Sequence, residues 1–199
     1  MHIVDGVLAT PVLTAGIITT VIGTALGLRS LSDEKLPQAA VLAACFFVAS
    51  LIHIPLGPSS VHLIFNGLIG LLLGWAAFPV VLIGLIFQAV FFGFGGIVVL
   101  GINCLNIALP AIIVGLILKP WLRRLPAVAV GFVAGFGAVL LTALFVALSL
   151  ALSGDGFITS AKLVMFGHLP VALIEGVVSA FAYKLLCKVR PTAAISSSL

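Results

Sequence analysis

The opening residues Met1-His2-Ile3-Val4-Asp5-Gly6 set a histidine beside the start of the chain. A terminal amine, the next backbone nitrogen and the His2 imidazole can close a five-membered and then a six-membered chelate ring on one small metal ion, with one in-plane position left open. Nickel(II) and copper(II) favour such tetragonal nitrogen sets and cobalt(II) is a neighbour in preference, whereas magnesium and calcium require oxygen donors. Methionine is usually removed only before small residues, so the large His2 is expected to keep Met1 in place. The plainer alternative is an amino-terminal tail whose histidine is incidental.

Other residues able to do chemistry are few. The connection His53-Ile54-Pro55-Leu56-Gly57-Pro58-Ser59-Ser60-Val61-His62 carries two histidines on a stretch too rich in proline and glycine to be helical. Ser59 or Ser60 could cap a following helix and leave His62 in its first turn. Histidine is the commonest transition-metal side-chain ligand, so His62 could supply the fourth nitrogen. A Gly-rich run, Gly93 to Gly101, ends at the amides Asn103 and Asn106. It reads as a loop packed into a bundle mouth, from which Asn103 could hydrogen-bond the amino-terminal segment. His168 and Glu175 fall seven apart, on one face of a final helix. They are either functional groups inside a span or a structural tie between helices.

The elements that must position these residues belong to a membrane. Hydrophobic residues make up 63% of the 199 and charged residues only 7%, against about a quarter charged in ordinary soluble domains. Several apolar runs reach the ~20 residues a helix needs to cross the hydrocarbon, and no alternating barrel-type strands are visible. The reading is an all-α, polytopic membrane bundle of about seven transmembrane helices, at about 11–28, 38–53, 62–77, 79–97, 106–119, 126–152 and 163–187. Residues 1–190 form one integral membrane metal-binding domain and 191–199 a short tail. The first run has no basic region ahead of it and is read as a retained span rather than a signal peptide. Gly23/Gly27, Gly70/Gly74 and Gly131/Gly135 are spaced for close helix packing. Cys45, Cys104 and Cys187 are too scattered for a zinc or disulfide framework.

Charge orients the bundle. Arg29, Lys35, Lys119, Arg123, Arg124, Lys184, Lys188 and Arg190 fall on the side of the carboxyl terminus, and of the nine Lys/Arg residues only Lys162 falls on the other. Basic residues gather on the cytoplasmic side, so the tail is expected in the cytoplasm and Met1 outside. The net charge of +4 is then a matter of orientation, with no nucleic acid implied. No GxxxxGK[ST] phosphate loop occurs, and the glycine spacing after Gly93 does not fit GxGxxG.

With His2, His62 and Asn103 in view, the sequence resembles the CbiM/NikM family, the substrate-specific membrane components of energy-coupling-factor transporters for cobalt and nickel. The resemblance spans most of the chain. It is most specific at Met1-His2-Ile3-Val4-Asp5-Gly6, at Gly57-Pro58-Ser59-Ser60-Val61-His62, and at Gln88-Ala89-Val90-Phe91-Phe92-Gly93-Phe94-Gly95-Gly96 followed by Gly101-Ile102-Asn103. It implies a square-planar site made from the Met1 amine, the His2 amide and imidazole nitrogens and the His62 imidazole, steadied by the run ending at Asn103. Val4 replaces a proline common at this place in the family, and the His53–Val61 loop differs enough that His53 competes with His62.

The resemblance further implies a bacterial inner-membrane protein that captures nickel or cobalt, with no resident cofactor. Its partners would be the lipid bilayer, a transmembrane coupling subunit, a pair of cytoplasmic ATPases and a small accessory membrane subunit. An intramembrane enzyme built on His168 and Glu175 is the alternative of a different class, but neither HExxH nor GxSxG is present. A self-sufficient channel or carrier is a third, for which Glu175 alone offers an acidic group deep in a span.

Overall fold

The computed structural model describes residues 3–51, 53–56 and 59–189, with 53–56 and 59–61 described by backbone only. Among the described residues seven α-helices and one short hairpin follow in order: α1 (Thr10–Ser30), α2 (Leu36–Ala49), β1 (His53–Leu56), β2 (Ser59–His62), α3 (Asn66–Leu73), α4 (Ala77–Phe92), α5 (Leu100–Leu118), α6 (Ala127–Ala151) and α7 (Ile158–Val189). Among the described residues, five stretches are long and apolar enough to cross a membrane: Thr10–Ser30, Asn66–Phe92, Leu100–Trp121, Ala127–Ala151 and Asp155–Val189. The protein is therefore a multi-pass helical membrane protein.

Local sequence explains the helix ends. Pro11 and Pro37 stand in the first turns of α1 and α2, where a missing N–H removes nothing and the fixed φ suits a helix start. Gly93 takes φ 66° at the end of α4, and the Phe94 N–H closes back on the Gln88 carbonyl at 3.2 Å, a left-handed termination that favours glycine. Pro110 and Pro170 lie inside α5 and α7, where neighbouring helices of a membrane bundle can accommodate the freed carbonyls.

The expected spans at 62–77 and 106–119 are corrected. The chain stays extended through His62 and becomes helical only at Asn66, so neither serine places His62 in a first helical turn. At the other site α5 begins six residues earlier than expected, which puts Asn103 in its first turn rather than in a loop. The loop before it is also not sunk in the bundle. Ile97 and Val98 are exposed and only Val99 is buried.

Contacts fix the course of α3. The Asn66 amide bonds the Ile107 carbonyl and Gly70 lies on the Ala111 backbone, so α3 runs alongside α5 in the same direction. Gly27, near the end of α1, meets Trp75 and Pro79 around the start of α4, and the loop after α4 returns to Asp5 ahead of α1 through Gly95, so α4 runs against α1. α1 and α5 start at the same end of the bundle, because Ile3 and Ala9 are tied there to α5 and to Ser153 after α6. The chain thus reverses at Gly74 (φ 55°). Gly74 has open space around it and serves the turn, while Gly70, Gly131 and Gly135 are the glycines that admit a neighbouring backbone. Every residue of α3 is buried, and its eight residues reach only ~12 Å. It is a half-helix starting inside the bundle, fed by the non-helical segment Leu63–Phe65.

Candidate metal centre

The amino-terminal segment is held by side chains that arrive from far along the chain. The Ile3 N–H donates to Asn103 Oδ1 at 3.0 Å, and Asn103 Nδ2 donates to the Ile3 carbonyl at 3.0 Å. One amide thereby satisfies both polar groups of one residue, as a neighbouring strand would. Ile3 is fully buried, in a cluster with Leu8, Val99, Ile102, Val146, Leu150 and Val164. Withdrawing the Asn103 amide would orphan the buried N–H and carbonyl of Ile3.

Two residues later the chain is tied again. The Asp5 N–H donates to the Gly95 carbonyl at 3.1 Å, and Asp5 Oδ1 accepts from the Val99 N–H at 3.0 Å, one residue ahead of α5. Backbone donors at a helix start are unsatisfied within the helix and the dipole there favours an anion. Gly96 makes this approach possible, because any Cβ at that position would strike the Asp5 carboxylate, and its φ of 134° is a glycine conformation. Further on, the Ala9 N–H donates to Ser153 Oγ at 3.1 Å. Asp5 is a positioning residue that the sequence alone did not single out; a lone acid ahead of an apolar span, ninety residues from its partner loop, carries no local signal of this bond.

Met1 and His2 lie outside the described residues, and so does the side chain of His53. Between the two strands His53 pairs directly with His62 in an antiparallel register. His62 is 3% exposed, and its Nδ1 lies 2.8 Å from the Leu63 carbonyl oxygen. In the tautomer that donates from Nδ1, the Nε2 lone pair is the one able to bind a metal, the usual backbone-oriented arrangement of a ligating imidazole. Among the described residues no three His, Cys, Asp or Glu side chains gather into a cluster able to hold an ion.

His168 and Glu175 are both fully buried on the inner face of α7, and each bonds a different backbone group. His168 Nδ1 is 2.6 Å from the Val164 carbonyl oxygen, whereas Glu175 Oε2 accepts from the Ile64 N–H at 3.1 Å. They do not form the acid–base couple that an intramembrane enzyme would need.

Fold and site together define a multi-pass membrane protein organised around a fixed amino-terminal segment and a buried histidine. The family described as "Cobalt uptake substrate-specific transmembrane region", CbiM, matches residues 2–193, and the chain belongs to that family. It is a membrane component of cobalt and nickel uptake and not an enzyme. A Haemophilus influenzae protein named for metal transport is 41% identical over 96% of this chain and 95% of its own length. The fused nickel transport protein NikMN of Rhodobacter capsulatus is 43% identical over 40% of this chain and 24% of its own. The crystal structure of a truncated transition metal transporter superposes with a TM-score of 0.83 at 25% identity, covering 94% of this chain and 99% of that one.

Proposed function

We propose that the chain is the substrate-capture component of an energy-coupling-factor ABC transporter that imports nickel or cobalt. The ion is held by the Met1 amine, the His2 amide and imidazole nitrogens and the His62 imidazole. The observation that supports this reading is the double hydrogen bond between Asn103 and Ile3: it fixes the residue next to the two that supply three of the four nitrogens. Without such a tie an amino terminus samples many conformations, and ordering it would cost roughly 1–2 kcal/mol per residue at each binding event.

The surrounding assignments follow from the same reading. Residues 1–190 are one membrane domain with seven passes, Met1 faces outward, and residues 191–199 form a cytoplasmic tail, in a bacterial inner membrane. The chain has no phosphate-binding loop of its own, so ATP hydrolysis comes from cytoplasmic ATPases through a transmembrane coupling subunit, alongside a small accessory membrane subunit. The fused form of the Rhodobacter relative supports the expectation that a further polypeptide works beside this domain.

Isothermal titration of nickel and cobalt into the purified protein tests the site. Adding two residues before Met1 should abolish high-affinity binding although every side chain remains, because the free amine is carried out of the chelate ring and His2 stands too far from it to close another. His2→Ala should also lose binding, His62→Ala should weaken it with three donors left, and His53→Ala should leave it near wild type. Protons compete for imidazole nitrogen, so affinity should fall as pH drops through the ordinary histidine range near ~6.5. Full affinity in the extended protein would sink the four-nitrogen site.

A further inference from the structure

Glu175 presents a problem that its surroundings partly answer. A carboxylate is costly inside an apolar bundle and persists there where it meets a partner or serves a function. Glu175 is fully buried near the middle of α7, its Oε2 accepts from the Ile64 N–H at 3.1 Å, and its Oε1 has no hydrogen-bond partner. Ile64 is two residues beyond His62 and two before Asn66, where α3 begins.

The half-helix α3 gives the contact its meaning. Its N-cap position is Phe65, held at φ 49°, a left-handed conformation unusual for a bulky residue, and no side chain of its own caps the helix. The start of a helix leaves several N–H groups without partners, and inside a membrane no water can satisfy them. Glu175, from another element, accepts from the Ile64 N–H two residues ahead of the first helical residue, which sets a carboxylate at the end where the helix dipole favours negative charge. The bent segment Leu63–Phe65 is thereby clamped between the hairpin that ends at His62 and the half-helix that follows. On the other side, the Asn66 amide bonds Ile107 and Thr142, which fixes the first residue of α3 to α5 and α6.

We infer that Glu175 is the positioning residue of His62: its carboxylate holds the segment after the histidine in place, so that the imidazole meets the ion at a fixed depth, and it ties the geometry of that ligand to the position of α7. This rests on the four-nitrogen reading above. Reach, rather than charge alone, is what the role requires. Glutamine keeps an acceptor oxygen at the same reach, aspartate keeps the charge but withdraws the oxygen from Ile64, and leucine removes the acceptor.

The test is nickel titration, by calorimetry and visible absorption, of the full-length protein in detergent. Glu175→Gln should bind within a few-fold of wild type, Glu175→Asp more weakly, and Glu175→Leu about tenfold more weakly or worse. At saturating nickel each should show the wild-type absorption spectrum, since no donor has been removed, whereas His62→Ala should change it. Adding Glu175→Asp to His62→Ala should cost nothing further, because the ligand being positioned is already gone. A merely structural carboxylate would weaken binding equally in both backgrounds, and that additivity would overturn the assignment. So would aspartate binding better than glutamine, a comparison that stands even if the leucine variant does not fold. Wild-type affinity in Glu175→Asp and Glu175→Leu beside a weakened His62→Ala would overturn the positioning role alone. Wild-type affinity in His62→Ala would overturn the four-nitrogen site and the positioning role with it.

Discussion

Asn103 treats Ile3 as a strand treats its neighbour, giving one donor and one acceptor to the same residue. Replacing it with leucine would leave a buried N–H and a buried carbonyl unpaired, at about 1–3 kcal/mol each. Because the loss falls next to the proposed metal-binding residues, Asn103→Leu is expected to lower nickel affinity by about tenfold or more, read by calorimetry. Asn103→Asp keeps the acceptor for the Ile3 N–H and loses the donor to the Ile3 carbonyl, so it should fall between leucine and wild type. Equal affinity in all three proteins would show that Ile3 needs no tether. An amide after a Gly-rich run was visible in the sequence as a possible tie to the amino terminus. Asp5 was not, because its bond to Val99 depends on Gly96 leaving room for the carboxylate, and a single glycine in a run of several does not reveal which neighbour it admits.

At the scale of elements, close approach between helices is set by a few glycines. A Cβ on Gly70 would run into the Ala111 carbonyl, and one on Gly115 would stand 2.6 Å from the Gly70 carbonyl oxygen, so α3 and α5 touch backbone to backbone. Gly137 differs: a Cβ there would meet only the Val114 methyls, at 3.8 and 3.9 Å. Gly115→Ala should therefore force α3 and α5 apart and destabilise the protein by about 1–3 kcal/mol or more, lowering the thermal unfolding midpoint in detergent. Gly137→Ala should leave that midpoint unchanged or raised, since alanine favours helix. A tolerated Gly115→Ala would contradict the packing of α3 on α5. The pattern of apolar runs made the long helices α1, α6 and α7 legible. It could not show α3 as a half-helix. Leu63, Ile64 and Phe65 are as apolar as the residues after them, and the Ile64 N–H, ahead of the helix start at Asn66, bonds a carboxylate 111 residues away.

Across the whole molecule the chain must enter and leave the membrane consistently with its charges. α2 has 14 residues and α3 eight, so helix length alone does not count the passes. Direction does. α3 runs with α5 and the chain reverses before α4, the alternation that the proposed seven passes require if Leu63–Phe65 and α3 make one pass and α4 the next. On the proposed seven passes the termini would lie on opposite sides, and eight of the nine Lys/Arg residues would share the side of the tail, which the positive-inside tendency assigns to the cytoplasm. Reporter fusions after Val189 should therefore report from the cytoplasm, and those inserted at Gly154-Asp155-Gly156, beside the Ser153 that binds Ala9, from outside. Single cysteines add a check by membrane-impermeant labelling in a background with Cys45, Cys104 and Cys187 replaced: Asp155→Cys should label in intact cells and Asp33→Cys only after lysis. If Asp155→Cys is shielded and Asp33→Cys labels from outside, the Ile3 end of the bundle faces the cytoplasm, and the proposed metal site is cut off from the ion it would capture.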